Sequence, residues 1–469
     1  MKKLLSLLLA LLCVFALTAC GNGGNTEETQ PTEEKHKASD IALSTENFSF
    51  TRAEVSYIFG KMYSDFKLNY PDSVDMYNID TNSSLKNQIY HDDLTWFKFF
   101  VDGAVEQMKQ VLALCEAAKA EGIELDEQDR ADIDEIIRSW KSHAKDYEYT
   151  VDELLGKFYN SDVTLDVMRS YIEKEVLSTK YQMKAGEGFE FTEDELNAYV
   201  KENENNFYRV DYLSFTTSED DTSTPKKSAE KIAGAKTEEE FKSLATEYMN
   251  NIGKKEDEIN AALEKVAVKG ELKKEYGKFS EWAFSEGKAG ETFISENAVD
   301  GEFTVYYLTS DPYLDTSPVK DIRVIKENIS SHNSYQETID YLKDLIDRWV
   351  KDGETEEAFA ELAKKKSKDD NTKDNGGLIP GISRFSSDVP DSFITWLYDD
   401  AEPVSVGDTA VLKGDSCYYA VYCAYIGDAG WKYNATVGCA ENAMNEIYEK
   451  LLAEHPVTQN DSVINSLEG

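Results

Sequence analysis

Two stretches of this chain repeat one another in order and spacing, and a repeat of this size requires the C-terminal half to fold as two copies of one unit. Phe241, Leu244 and Ala245, in a helix-like run rich in Glu and Lys, return as Phe359, Leu362 and Ala363. Phe279, Trp282, Ala283 and Phe284, followed by Gly290, Glu291 and Thr292, return as Phe393, Trp396, Leu397 and Tyr398, followed by Gly407, Asp408 and Thr409. The closing run Phe303, Thr304, Val305, Tyr306, Tyr307 returns as Tyr418, Tyr419, Ala420, Val421, Tyr422. Strand-like runs around Val210 to Phe215 and Ile322 to Lys326 open the copies. Each copy reads as strand, helices, short helix and two strands, within residues 200–312 and 318–428.

The region ahead of the repeats has a different period. Thr51 with Glu54, Thr150 with Glu153, Thr192 with Glu195 and Thr237 with Glu240 each fit a capping box and mark four helix starts. From Phe100, the apolar residues Val101, Ala104, Val105, Met108, Val111, Leu112 and Cys115 recur at three and four, which predicts a long amphipathic helix ending near Gly122. Ile133, Ile136, Ile137, Trp140 and Ala144 predict a second helix, and Val163 to Met183 a third. Residues 46–190 are therefore expected to be mostly helical, with strands only from Tyr208. The fold class is α+β.

The N-terminus reads as an export signal. Lys2 and Lys3 precede the apolar run Leu4 to Leu17, which leads into Thr18, Ala19, Cys20 and Gly21. The run is too short for a permanent transmembrane helix. The stretch LTAC before glycine resembles a bacterial lipobox, which implies cleavage after residue 19 and a lipid on Cys20; an ordinary signal peptide is the alternative. Gly21 to Asp40 is polar and without apolar period, so 20–45 is expected to be a flexible tether holding the protein on the outer face of a membrane.

Composition narrows the function classes. With 469 residues, two or three domains are expected, and 41% apolar residues exclude global disorder. Fifty basic residues against 90 acidic ones, a net charge of −40, exclude a nucleic-acid partner. No cysteine pair has CxxC spacing; Cys417 and Cys423 share a strand-like run and cannot join each other, so Cys115, Cys417, Cys423 and Cys439 are expected to be buried thiols. The histidines lack i, i+4 pairing, and the acidic run from Asp369 has Lys373 and Pro380 where an EF-hand needs ligands, so no metal or cofactor is expected.

In the second copy, Phe359 to Ala363, Ser367, Lys368 and Asp369, Asn375, Gly376, Gly377 and Leu378, then Phe393, Trp396, Gly407, Asp408 and the strand from Tyr418 resemble a parvulin-type peptidyl-prolyl isomerase domain. With the lipobox and the helical region, the whole chain is similar to extracytoplasmic foldase lipoproteins of the PrsA and SurA type. The resemblance implies a helical SurA-N-like chaperone domain at 46–195, completed by a C-terminal helix at 430–456 carrying Asn442, Met444, Ile447, Tyr448, Leu451 and Leu452. Two tandem parvulin-like domains would follow it, the first degenerate.

Parvulins lower the rotation barrier of about 18 to 20 kcal/mol without a covalent intermediate. They hold the prolyl ring in an apolar pocket beside two histidines and a Cys or Asp. Here Arg323 aligns with the arginine that commonly precedes the first histidine, which places Val324 at that histidine and Tyr419 at the second. The resemblance assigns catalytic places to Asp369 and Tyr419, and pocket places to Val389, Phe393 and Trp396. In the first copy the closing position is Thr304. The same residues have plain structural readings: Phe393 and Trp396 as core, Asp369 as the holder of a turn, Tyr419 as a strand residue.

The expectation is a membrane-tethered chaperone on the extracytoplasmic face. It binds unfolded exported polypeptides and has weak or lost isomerase activity. An active isomerase, with tyrosine donating the hydrogen bond, and a solute-binding lipoprotein are the alternatives.

Overall fold

The computed structural model describes residues 36–218, 225–274, 276–297, 299 and 301–468, so Cys20 and the signal lie outside the described residues. The fold is mixed helix and sheet, α+β. One compact unit takes the chain up to Glu190 together with the residues from Ala440; the other takes Phe191–Cys439.

The first unit is built around the helix Trp96–Ala120, whose apolar stripe matches the period read from the sequence. Phe100, Ala104, Met108 and Leu112 on it are buried with Val55 and Ile58 from Arg52–Asn69 and with Met168 and Tyr171 from Leu165–Gly186. The helix stops where Gly122 takes φ +68°, a conformation that costs glycine little. Glu54 closes the capping box at Thr51, and its other oxygen accepts from Ser170 Oγ at 2.9 Å and Lys174 Nζ at 2.7 Å. One glutamate thus serves both a helix start and a buried ion pair. On a further face, Ala113, Leu114 and Ala117 pack with Met444, Tyr448 and Leu451 of the helix Gly430–Glu454.

Three expectations need correction here. The tether expected to reach residue 45 ends earlier: Ile41–Ser44 is a strand paired with Ser49–Thr51 and Thr458–Gln459, and its Ala42 and Leu43 are buried. Strands therefore begin well before Tyr208, as does the hairpin Ile89–His91 with Leu94–Thr95. Such strands of two to four residues carry no readable period. At Thr237 the capping box is only half formed, because the Glu240 carboxylate accepts from Lys236 N–H at 2.7 Å instead of reaching back to Thr237. Past the last long helix, Val463, Ile464 and Leu467 return to the first unit's core, and Arg52 fastens that turn by donating to Ser466 Oγ at 2.9 Å and its carbonyl at 2.8 Å.

The second unit contains two antiparallel sheets. We label their strands β1 (Tyr208–Thr217), β2 (Ala267–Leu272), β3 (Thr292–Asn297), β4 (Glu302–Leu308), β5 (Pro318–Asn328), β6 (Leu378–Ile382), β7 (Thr409–Lys413) and β8 (Cys417–Ala429). The strand orders are β2-β1-β4-β3, with Tyr313–Leu314 also paired to β1, and β6-β5-β8-β7. The registers correspond: Thr216 faces Thr304 as Lys326 faces Tyr419. The bulges correspond as well. Asp211 Oδ1 accepts from Gly270 N–H at 2.7 Å, and Asp321 Oδ1 accepts from Gly381 N–H at 2.9 Å, both glycines having φ +68°.

Alternation on β5 and β8 sends side chains to two buried layers. Ile322, Val324, Val421 and Cys423 meet Phe393 and Leu397 on one face. Ile325, Ala420 and Tyr422 meet Leu342, Leu345, Trp349 and Phe359 on the other.

Candidate functional site

The residues that the resemblance singles out meet on one face of the second sheet. Val324, Val389, Phe393, Trp396 and Tyr419 all belong to its apolar cluster. The short helix Asp391–Leu397 carries Phe393 and Trp396 onto that face. Phe393 packs edge-on against Tyr419, with ring centroids 5.1 Å apart at 87°. Val324 and Phe393 are 0% exposed, so the place of the first family histidine is sealed beneath the surface and Phe393 serves as core. Val389, Trp396 and Tyr419 are half-buried.

Tyr419 brings a phenol to this face. Burial pushes its phenol well above the ordinary tyrosine range, and the neighbouring Cys417 thiol and the Asp369 and Asp415 carboxylates push it further. The phenol therefore keeps its proton throughout the neutral range and stays a donor. Gly414 makes room for the pair: a methyl group there would sit 2.7 Å from Cys417 Sγ and 2.8 Å from the Tyr419 ring.

Asp369 holds a turn. Its Oδ2 accepts from Thr372 Oγ1 at 2.6 Å, its N–H donates to Ser367 Oγ at 3.2 Å, and its carbonyl accepts from Lys373 N–H at 2.9 Å. That turn delivers Gly376 and Gly377 in the left-handed region, at φ +66° and +75°. Arg323 binds the same turn from the sheet, donating to the carbonyls of Asn375 and Gly376 at 3.0 Å each and to Glu356 at 3.1 Å. The arginine beside the histidine position is thus a structural tie to the glycine turn, a role that sequence reading missed.

The first copy has the same frame with a different filling. Register places Ser214 where Val324 stands, and Thr304, bonded to Thr216 through their hydroxyls at 2.9 Å, where Tyr419 stands. In the same copy Phe279 stacks on Tyr306 at 3.8 Å and 12°, Tyr212 meets Phe279 edge-on at 4.8 Å, and Trp282 stacks on Phe293 at 5.3 Å. Tyr212 and Tyr306 stand where the second copy has Ile322 and Val421, while Phe279 and Trp282 correspond to Phe393 and Trp396.

A cavity of about 620 Å³ opens elsewhere in the second copy, lined by Trp349, Glu354, Trp396, Glu402, Val404 and Asp408 among others. Of the five site residues, Trp396 alone lines it. A second, of about 430 Å³, lies between Asn328, Tyr335 and Asp415.

No family model matches the chain, and no curated protein matches it. Among solved structures it is similar to PrsA from Bacillus subtilis, at 11% identity and TM-score 0.29, over 79% of this chain and 93% of that one. It is similar to foldase protein PrsA from Streptococcus pneumoniae at 15% identity and TM-score 0.24, over 82% and 98%. It is similar to peptidylprolyl isomerase (PrsA) from Bacillus anthracis at 11% identity and TM-score 0.19, over 75% and 96%.

Proposed function

We propose that the protein is an extracytoplasmic chaperone, tethered to the membrane through Cys20, that holds unfolded exported polypeptides and has weak or lost prolyl isomerase activity. The observation that carries the holding function is an apolar patch on the first unit. Leu68 and Met76 are 79% and 66% exposed, with Tyr70, Tyr77 and Ile89 exposed beside them. Ring contacts of Tyr77 with Trp96 at 5.4 Å and of Phe66 with Tyr70 at 5.8 Å root the patch in the core. Rigid aromatic surface of this kind meets unfolded chains without requiring a defined sequence.

The isomerase reading is weakened at one point: Val324, in the first histidine's place, can neither accept nor donate a proton and is sealed from solvent. Among the described residues no helix is long and apolar enough to cross a membrane.

The test is aggregation of a reduced client with the full chain and with a chain carrying Leu68→Ser, Met76→Ser and Tyr77→Ser. Loss of protection in the triple variant at unchanged secondary structure is expected; full protection would refute the patch. Cys20→Ser is expected to release the protein from the membrane fraction or leave it unprocessed.

A second reading rests on Tyr419, a protonated donor beside Phe393. If the full chain turns over a proline tetrapeptide at parvulin rates and Tyr419→Phe abolishes this, the tyrosine is catalytic. Uncatalysed turnover takes tens to hundreds of seconds, so slight activity is measurable.

A further inference from the structure

The cavity beside Trp349 shares only Trp396 with that site, and its lining combines indoles with carboxylates. Two indoles, Trp349 and Trp396, and three carboxylates, Glu354, Glu402 and Asp408, surround about 620 Å³ with no lysine or arginine among them. Trp349 is fixed: its N–H donates to the Thr355 carbonyl at 2.8 Å, and its ring packs edge-on against Phe359 and Tyr422 at 5.7 and 5.3 Å. Its polar atom is thereby used inside the fold and the residue is only 5% exposed, so it forms a rigid wall, while the half-buried Trp396 offers the more accessible indole. Asp408 is partly engaged, accepting from Ser405 N–H at 2.7 Å.

Glu354 and Glu402 make no ion pair among the described residues. Glu354 sits at φ +57°, held there as its N–H donates to the Trp349 carbonyl at 3.3 Å, just past the end of the helix Tyr335–Lys351. The carbonyls of that helix end add partial negative charge on the same side. A left-handed glutamate is uncommon, and here it keeps a carboxylate beside the indole. Ring faces attract cations through their quadrupole, and the exposed, unpaired carboxylates add Coulomb attraction that salt screens. A long cationic side chain satisfies both, its alkyl stem against the rings and its head between the carboxylates.

We infer that this cavity takes the guanidinium or ammonium side chain of an extended polypeptide, so that the second copy selects arginine and lysine in the chains it meets. The inference rests on the polypeptide-binding reading above and specifies which residue is recognised.

The test titrates the full chain with acetyl-Ala-Ala-Arg-Ala-Ala-amide and with the same peptide carrying neutral, nearly isosteric citrulline, followed by calorimetry. The arginine peptide is expected to bind about tenfold tighter in 0.05 M salt, and the difference to shrink in 0.5 M. Glu354→Gln with Glu402→Gln is expected to erase the difference, and Trp396→Leu to weaken both peptides. Equal binding of the two peptides by the unaltered chain overturns the assignment. So does undiminished discrimination in the double glutamine variant at native circular dichroism. Client holding, measured in parallel, separates the two readings: equal peptide binding overturns the cavity assignment even where clients are held, and discrimination supports it even where they are not.

Discussion

Val324 and Gly377 lie back to back. Val324 N–H donates to the Gly377 carbonyl at 2.8 Å, and a methyl group on Gly377 would fall 2.2 Å from the Val324 carbonyl oxygen. The residue in the histidine's place is therefore bound by its backbone to the paired glycines, while its side chain is buried in the sheet's apolar layer. The glycine turn and the strand carrying Val324 are thus locked together by backbone contacts.

That contact predicts a large cost for Gly377→Ala. Strain at φ +75° and the clash with the Val324 carbonyl each contribute about 1 to 3 kcal/mol. Gly290→Ala has positive φ but only the Tyr307 hydroxyl nearby, at 3.9 Å, so about 1 kcal/mol of strain alone is expected. Urea denaturation of both variants checks the difference; equal midpoints would contradict the close approach.

Glu54 links a cap to a buried cation, and its removal leaves Lys174 Nζ without the carboxylate at 2.7 Å. Glu54→Ala is expected to cost about 3 to 5 kcal/mol, the range for breaking a buried pair. Adding Lys174→Met should recover part of that loss, read as a midpoint shift in thermal unfolding. A double variant less stable than the single one would count against the pairing.

Thiol chemistry should follow burial. Burial pushes Cys115 up to about 12 and Cys423 up to about 11, so almost no thiolate forms at neutral pH. Cys439 is only half-buried. In the native protein Cys439 should be alkylated first, with Cys115 and Cys423 protected until denaturant is added. Mass spectrometry of a timed iodoacetamide reaction decides this, and early labelling of Cys115 would contradict the packing of its helix.

Alkaline pH should unfold the chain through its buried tyrosines. Burial raises Tyr159, Tyr212 and Tyr448 to about 12 and Tyr57 and Tyr171 well above the ordinary value. Below the unfolded value of about 10 this adds no pH dependence. Above it the unfolded chain releases protons that the folded one retains, so stability falls as pH rises from about 10 through the folded values. Phenolate absorbance at 295 nm should therefore rise in two stages, the later coinciding with loss of circular dichroism. A single early rise with structure intact would contradict this.

Local signals were enough to read the long helices, three of the capping boxes and three of the four strands in each copy, because a helix start or an amphipathic stripe is dictated by neighbours three and four residues away. The edge strands β2 and β6, which stand between the helices and the short helix of each copy, were not read. The partnership of Asp211 with Gly270 and of Asp321 with Gly381 was not readable, since each pair is about sixty residues apart and depends on strand register. The seating of Phe385 beside Arg209, 4.4 Å from guanidinium to ring centre, with no room for a side chain on Gly270, likewise joins the two copies only in space. Short strands such as Ile41–Ser44 escaped because they are held by Thr458–Gln459 at the far end of the chain. Residue types marked Val324 and Tyr419 as departures from the pattern that the chain resembles. Tertiary packing decided that Val324 and Phe393 are sealed, that Asp369 serves a turn and that Trp396 lines a separate cavity, because exposure depends on what the rest of the chain brings against a side chain.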